Sequence, residues 1–227
     1  MRCSSVALLC LLFAVPAVAA QDGAQKLYEA MEQKIAKAKA FKFAYEAEGA
    51  SKGILIVATG TRLKSTSERM DGKTAIKVMF VSDGKTLVFQ GDEKRGKAVS
   101  DNFCDFFKGF LNRGGLLVAM DSMAKPASFG GKGKLHDPAT FKLSAFKMVG
   151  KEKVGGRQAN VLEYQIMVPA LPSFKATCKL WLDAQDNLPL KRIFVDINNG
   201  ETNRVVENYS QWEIDPTLAE DTFALPK

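Results

Sequence analysis

One histidine, His136, and two cysteines beyond the first twenty residues, Cys104 and Cys178, are the side chains best suited to bond-making chemistry. Hydrolytic triads, zinc sites and most acid–base mechanisms hold a histidine against a carboxylate or a carbonyl. His136 stands instead in "KPASFGGKGKLHDP", Lys125 to Pro138, a Gly-, Pro- and Lys-rich run that reads as an exposed loop. Two carboxylates can run glycoside hydrolysis, and Asp183/Asp186 and Asp101/Asp105 are the candidate pairs. Both pairs are local in sequence and fit a turn or a helix cap better. There is no Gly-x-Ser-x-Gly, Cys-x-x-Cys or nucleotide-binding glycine motif. Asn208-Tyr209-Ser210 fits a glycosylation sequon, inside a segment that reads as a strand. The expectation is a non-enzyme with no catalytic residue, no metal ligand and no cofactor.

What the sequence over-supplies is apolar surface. The chain holds 15 phenylalanines, and Phe103, Phe106, Phe107 and Phe110 fall together. With Leu111 they mark one face of a helix capped by Ser100 or Asp101. Gly114-Gly115 breaks that helix, and "LLVAMDSM" reads as a second short one. Such a stripe is ordinary core in most proteins, and a ligand cavity in some.

These helices interrupt a run of strands. Residues 22–39 read as an amphipathic helix with Leu27, Met31, Ile35 and Ala38 on one stripe. "FKFAYEAEG" alternates Phe41, Phe43, Tyr45 and Ala47 with polar or small residues, the period of a half-buried strand. "ILIVA" is continuously apolar and suggests a strand covered on both faces. "TRLKSTSER" is polar enough for a solvated strand. "TAIKVMFV" and "KTLVFQ" fold about Asp83-Gly84, and Asp71-Gly72 marks the preceding hairpin. Strands resume at "FKLSAFKMVG" and continue through "NVLEYQIMV", "KATCKLWLD", "LKRIFVDI" and "TNRVVENYSQWEI". In these, Leu162, Tyr164, Ile166 and Val168 share one face, and Cys178, Leu180 and Leu182 another. The tail "DPTLAEDTFALPK" carries little regular structure.

The chain begins with Arg2, the short apolar run Val6 to Val15, Pro16 and the small residues AVAA. That pattern predicts a cleavable secretory signal over residues 1–20 rather than a membrane span. Leu9 before Cys10 does not fit a lipidation site. The expectation is a protein soluble outside the cytoplasm and not lipidated, with one domain over 21–227. A domain of that size buries roughly 70% of its unfolded surface. The net charge of +7 comes from lysines spread along the strands, without a basic block or an aromatic-basic nucleic-acid motif. Scattered lysines protect sheet edges, or attract anionic lipid head groups weakly. No nucleic-acid partner is expected.

The hairpin "VSDGKTLVF", the leading helix and strand, the apolar helices after the hairpin and the late "YSQWEIDPTLAEDTFALP" together resemble the LolA-type (LolA/LolB-like) family. These are periplasmic lipoprotein carriers and their relatives. The resemblance spans essentially the whole chain after the signal. It implies a mainly β fold: a curved antiparallel half-open barrel of about ten to eleven strands, one N-terminal helix, and short helices filling the concave face. It also implies a non-enzymatic, monomeric carrier of lipid acyl chains or lipoproteins. The ligand would contact Phe103, Phe106, Phe107, Phe110, Leu117, Met120 and Met123 on the helices. On the sheet it would contact Phe43, Tyr45, Phe80 and Phe89. The competing expectation is a dry half-barrel that meets a protein partner. If the phenylalanine helix fills the concave face, Cys104 and Cys178 can meet in a disulfide that pins helix to sheet; two buried thiols are the alternative.

Overall fold

The computed structural model describes residues 16–49, 51–58, 62–71, 74–91, 94–99, 142–168, 171–198 and 201–226. The expected phenylalanine helices, Cys104, His136 and the Asp101/Asp105 pair lie outside these residues, as do residues 1–15.

The period-two pattern of Phe41, Phe43, Tyr45 and Ala47 becomes strand β1 (Ala40–Ala47), with all four side chains buried on one face. Five more strands continue the meander: β2 (Ser51–Ala58), β3 (Arg62–Asp71), β4 (Thr74–Asp83), β5 (Thr86–Gly91) and β6 (Lys94–Val99). The second half runs β7 (Lys142–Val154), β8 (Arg157–Val168), β9 (Leu171–Asp183), β10 (Pro189–Asn198) and β11 (Glu201–Ile214). All pairings are antiparallel. The spatial order is β6-β5-β4-β3-β2-β1-β11-β10-β9-β8-β7, so the first and last strands join the two meanders at the centre. The sheet ends at β6 and β7 without closing. This is the half-open barrel of eleven strands expected from the sequence.

Its inner face carries the main core. Leu55 and Val57 of β2, Leu63 of β3, Leu162, Tyr164 and Ile166 of β8, and Cys178, Leu180 and Leu182 of β9 share one apolar cluster with β1. Helix α1 (Pro16–Lys37) lies against the same cluster through Ala24, Tyr28, Met31 and Ile35, which recur at helical spacing. The Tyr28 ring sits 4.9 Å from that of Tyr164 and 5.3 Å from that of Phe146 in β7. Burying each large apolar side chain of the helix stabilises its docking by about 1.5–3 kcal/mol. The β9–β10 turn fixes the helix from its other side, where Asn187 Nδ2 donates to the Leu27 carbonyl at 3.0 Å. The helix thus starts before the expected residue 22 and ends two residues before the expected 39. None of the described helices is long and apolar enough to cross a membrane.

Turn chemistry follows the acidic residues. Asp83 Oδ1 accepts from the amides of Lys85 and Thr86, each at 2.8 Å, while Gly84 takes φ 98° in the two-residue loop. Asp183 Oδ1 accepts from the amides of Gln185 and Asp186, and Arg157 bridges both carboxylates at 2.7 and 2.8 Å. The Asp183/Asp186 pair is therefore a turn, as its spacing suggested.

Two strands differ from expectation, the first only in part. β2 is covered on both faces except at one end: Leu55 and Val57 are buried inside, Ala58 is buried and Ile56 packed with Ala40, Leu218 and Phe223 on the other face, and Ile54 is 36% exposed. β3 is not a solvated strand, because Leu63 and Ser65 are buried on the inner face. The cause is its neighbours, since Ser65 lies in register between buried Leu55 of β2 and buried Phe80 of β4. β6, whose sequence Lys-Arg-Gly-Lys-Ala-Val has no apolar alternation, forms an edge strand that composition alone did not mark.

Candidate functional site

One straight row of residues crosses six strands of the sheet. Tyr209 of β11 pairs with Tyr45 of β1, Tyr45 with Gly53, Gly53 with Ser67, Ser67 with Val78, and Val78 with Gly91. Because strand side chains alternate, these six positions share the inner face. They and their strand neighbours, which alternate to the opposite face, line a cavity of about 990 Å³. That volume is at the upper end of small-ligand sites. Two of the six are glycines, so side-chain bulk is missing where the row passes β2 and β5. At Gly53 the omission is forced: a Cβ would lie 2.4 Å from the Thr66 carbonyl oxygen and 2.7 Å from Ser67 Cβ. Gly91 is different, since a Cβ there meets Val78 at an ordinary 3.4 Å.

The cavity wall mixes apolar and hydroxyl groups. Tyr45 is 6% exposed, and burial raises its phenol pKa while the nearby hydroxyls of Ser67, Ser65 and Ser51 pull it back. Ile54, Met79 and Val78 supply apolar surface to the lining, and Lys52, Glu68, Lys77 and Glu46 supply charge. Lys52 and Glu68 pair at 3.4 Å across β2 and β3.

Beside this row runs a second one. Two residues before Tyr209 on the same face is Glu207, which pairs with Ala47 of β1 on one side and Arg192 of β10 on the other. Arg192 is fully buried and Glu207 is 2% exposed. Arg192 Nε lies 3.3 Å from Glu207 Oε2, close enough for an ion pair but not aligned for a hydrogen bond. The Tyr209 hydroxyl donates to the same carboxylate oxygen. Burial lowers the Arg192 pKa, but Glu207, Cys178, Tyr209 and Tyr164 together outweigh it and hold the pKa well above the ordinary value. The sequence carried a signal for this pair. In "LPLKRIFVDI" and "RVVENYSQW" the alternation sets Arg192 with Phe194, and Glu207 with Val205 and Tyr209, on the core-facing side.

Of the residues expected to meet a ligand, Tyr45 lines the cavity. Phe43 is 1% exposed, stacked on Trp212 at 4.3 Å, and Phe80 is 9% exposed opposite Ser65. Both belong to the core beside the cavity. Phe89 lies in β5 opposite Phe80. Phe103, Phe106, Phe107, Phe110, Leu117, Met120, Met123 and Cys104 lie outside the described residues. Cys178 is buried between Phe194 and Tyr164 in register. No cluster of three or more His, Cys, Asp or Glu among the described residues could hold a metal ion.

An open antiparallel sheet wrapped round an apolar interior, with a large cavity on its row of glycines and tyrosines, defines an unclosed half-barrel. Its solved likenesses agree at the level of fold. LprF from Mycobacterium bovis superposes with a TM-score of 0.52 at 10% identity, covering 89% of this chain and 98% of that one. The Mycobacterium tuberculosis lipoprotein LppX gives 0.51 at 7% identity, covering 87% and 98%. The LolA superfamily protein NE2245 from Nitrosomonas europaea also matches, at 10% identity over 89% and 97% of the two chains, but its TM-score of 0.30 is too loose to carry weight. The family described as "Predicted periplasmic protein (DUF2092)" matches residues 134–226, less than half of the chain. No curated protein is significantly similar.

Proposed function

We propose that this protein is a non-enzymatic binder or carrier of lipid acyl chains or lipoproteins, working in the periplasm after removal of residues 1–20. The observation that carries this reading is the cavity of about 990 Å³ along an unclosed half-barrel, lined by Tyr45 and Val78 from one face of the sheet and by Met79 and Ile54 from the other. Gly53 and Gly91 take no space from it. Acyl chains withdrawn from water into such a site gain roughly 25 cal/mol per Å² of apolar surface, enough to hold a ligand without covalent chemistry. The shared fold with LppX, itself a lipoprotein, and the periplasmic description of the matching family support the compartment and the class. The net charge of +7 suits transient contact with anionic membrane surfaces.

The test is native purification without detergent, followed by mass spectrometry of extracted lipid and titration with a fluorescent fatty acid. Co-purified acyl lipid and saturable binding are expected. A protein that carries no lipid and ignores the probe is not a carrier, and its half-barrel then serves a protein partner.

A further inference from the structure

The outer face of the sheet carries two neighbouring rows of its own. In one, Glu46 of β1 pairs with Lys52 of β2, Lys52 with Glu68 of β3, and Glu68 with Lys77 of β4, so charge changes sign at every strand. In the other, Ser210 pairs with Ala44, Ala44 with Ile54, Ile54 with Thr66, Thr66 with Met79, and Met79 with Gln90. Both rows stand open. Lys52 and Glu68 keep 66% and 45% of their side-chain surface, Glu46 and Lys77 are exposed, and Ile54 is an exposed large apolar residue. The C-terminal tail covers the adjoining stretch instead, packing Leu218 and Phe223 with Ile56 and Ala58.

We infer that these two rows dock on the same rows of a second copy of this chain, about a twofold axis parallel to the strands and midway between β2 and β3. The charges select both the occupant and the axis. Rotation about that axis reverses a row end for end, and a row that alternates Glu46, Lys52, Glu68, Lys77 is then its own complement. Glu46 meets the partner's Lys77, and Lys52 the partner's Glu68. The other row matches under the same rotation. Ser210 meets the partner's Gln90, Ala44 the partner's Met79 and Ile54 the partner's Thr66, so polar ends face polar ends and apolar surface lies between. An axis running along the rows would set every charge against its own likeness, which opposes docking. A uniformly acidic or basic partner would meet as many repelling charges as attracting ones. Packed sheets lie about 10 Å apart, within reach of long side chains from both faces. The patch is smaller than the roughly 20–30 residues a side of a standard interface, so the association is weak and salt-sensitive. Acyl binding is not needed for this pairing.

Sedimentation equilibrium of the full protein at low salt should show a mass that rises with concentration toward two chains. It should fall back to one chain as salt approaches about 1 M, where charges are screened beyond about 3 Å. Glu46→Lys sets like charges together at both ends of the charged row, and so does Lys77→Glu; each should weaken self-association by about tenfold or more. Both positions are exposed, so the fold tolerates either change. An equimolar mixture of the two variants should recover the parent's association to within about threefold, because each carries the charge the other needs. A protein that stays single at every concentration, variants that associate as the parent does, or a mixture no stronger than its components overturns the pairing. Lipid extraction and probe titration are read separately, so neither result decides the other.

Discussion

Arg192 and Glu207 face each other across β10 and β11 with Nε and Oε2 3.3 Å apart, the first fully buried and the second almost so. A buried pair is worth little against two well-packed apolar residues, but breaking it strands a charge. Arg192→Met alone should therefore destabilise the fold by about 3–5 kcal/mol, since Glu207 stays behind. Arg192→Met with Glu207→Leu should recover most of that loss. Urea unfolding of the two single variants and the double variant checks it. A double variant no more stable than Arg192→Met would show that the pair is not the source of the effect.

Gly53 and Gly91 occupy the same cross-strand row but differ in the room beside them. Gly53→Ala places a methyl group against the backbone of Thr66 and Ser67, so the sheet must open there. A cost of about 1–3 kcal/mol is expected, together with weaker ligand binding. Gly91→Ala should be nearly neutral in stability, because its new methyl meets Val78 at an ordinary distance. Parallel thermal melts of the two variants decide, and equal losses would contradict the geometry.

The Asp83 hairpin gives a pH dependence with a definite sign. Burial would raise the Asp83 carboxyl, but the amides of Thr86 and Lys85 prevail and hold it below the ordinary carboxylate value. A depressed carboxylate contributes stability above its unfolded pKa and loses it as pH falls through the folded one. Asp83→Ala should cost about 1 kcal/mol at neutral pH by removing the acceptor. The gap between variant and parent should then narrow on acidification. Urea midpoints measured across the acid range test this, and curves that stay parallel would refute it.

Trp212 stacks on Phe43 at 4.3 Å and donates from Nε1 to the Pro189 carbonyl at 2.8 Å. Trp212→Phe keeps the stack and strands the carbonyl, a loss of about 1 kcal/mol. Trp212→Ala also opens a hole against Phe43 and Tyr209 and should cost about 3 kcal/mol. Chemical denaturation ranks the two; a larger loss for phenylalanine than for alanine would be inconsistent with the contact.

Where local chemistry decides, the sequence was readable. The alternation of β1, Met31 and Ile35 of the α1 stripe and the Asp183–Asp186 turn follow from spacing and residue type, whereas Ala24 and Tyr28 take the places expected of Leu27 and Ala38. Where neighbours distant in sequence decide, it was not. "ILIVA" looks buried on both faces, yet run length cannot reveal that Ile54 faces outward at 36% exposure. "TRLKSTSER" looks solvated, yet its serines are the small residues that fit where β3 presses on Gly53. Edge strand β6 escaped notice because Lys94, Arg95 and Lys97 leave its sequence without an apolar alternation, a composition common on sheet edges. The Arg192–Glu207 pair was written in the alternation, but a charge on a core-facing register is identified only once both strands are aligned.

The pairing of β1 with β11 has a consequence in time. Ala44 lies opposite Ser210, so the seam at the middle of the sheet joins the first strand made to the last. A chain emerging from its amino end can zip β1 through β6 at once, but β1 keeps one bare edge until Glu201–Ile214 arrives. Contacts so distant in sequence are slow to form, and the half-sheet meanwhile exposes backbone that any other strand could capture. Refolding should show an early phase from the hairpins and a later one reported by Trp212, which reaches Phe43 only when the seam closes. Simultaneous phases would mean that the two meanders assemble as one. A chain ending before β11 leaves one edge of β1 and one edge of β10 bare, and for this molecule the last strand is the keystone.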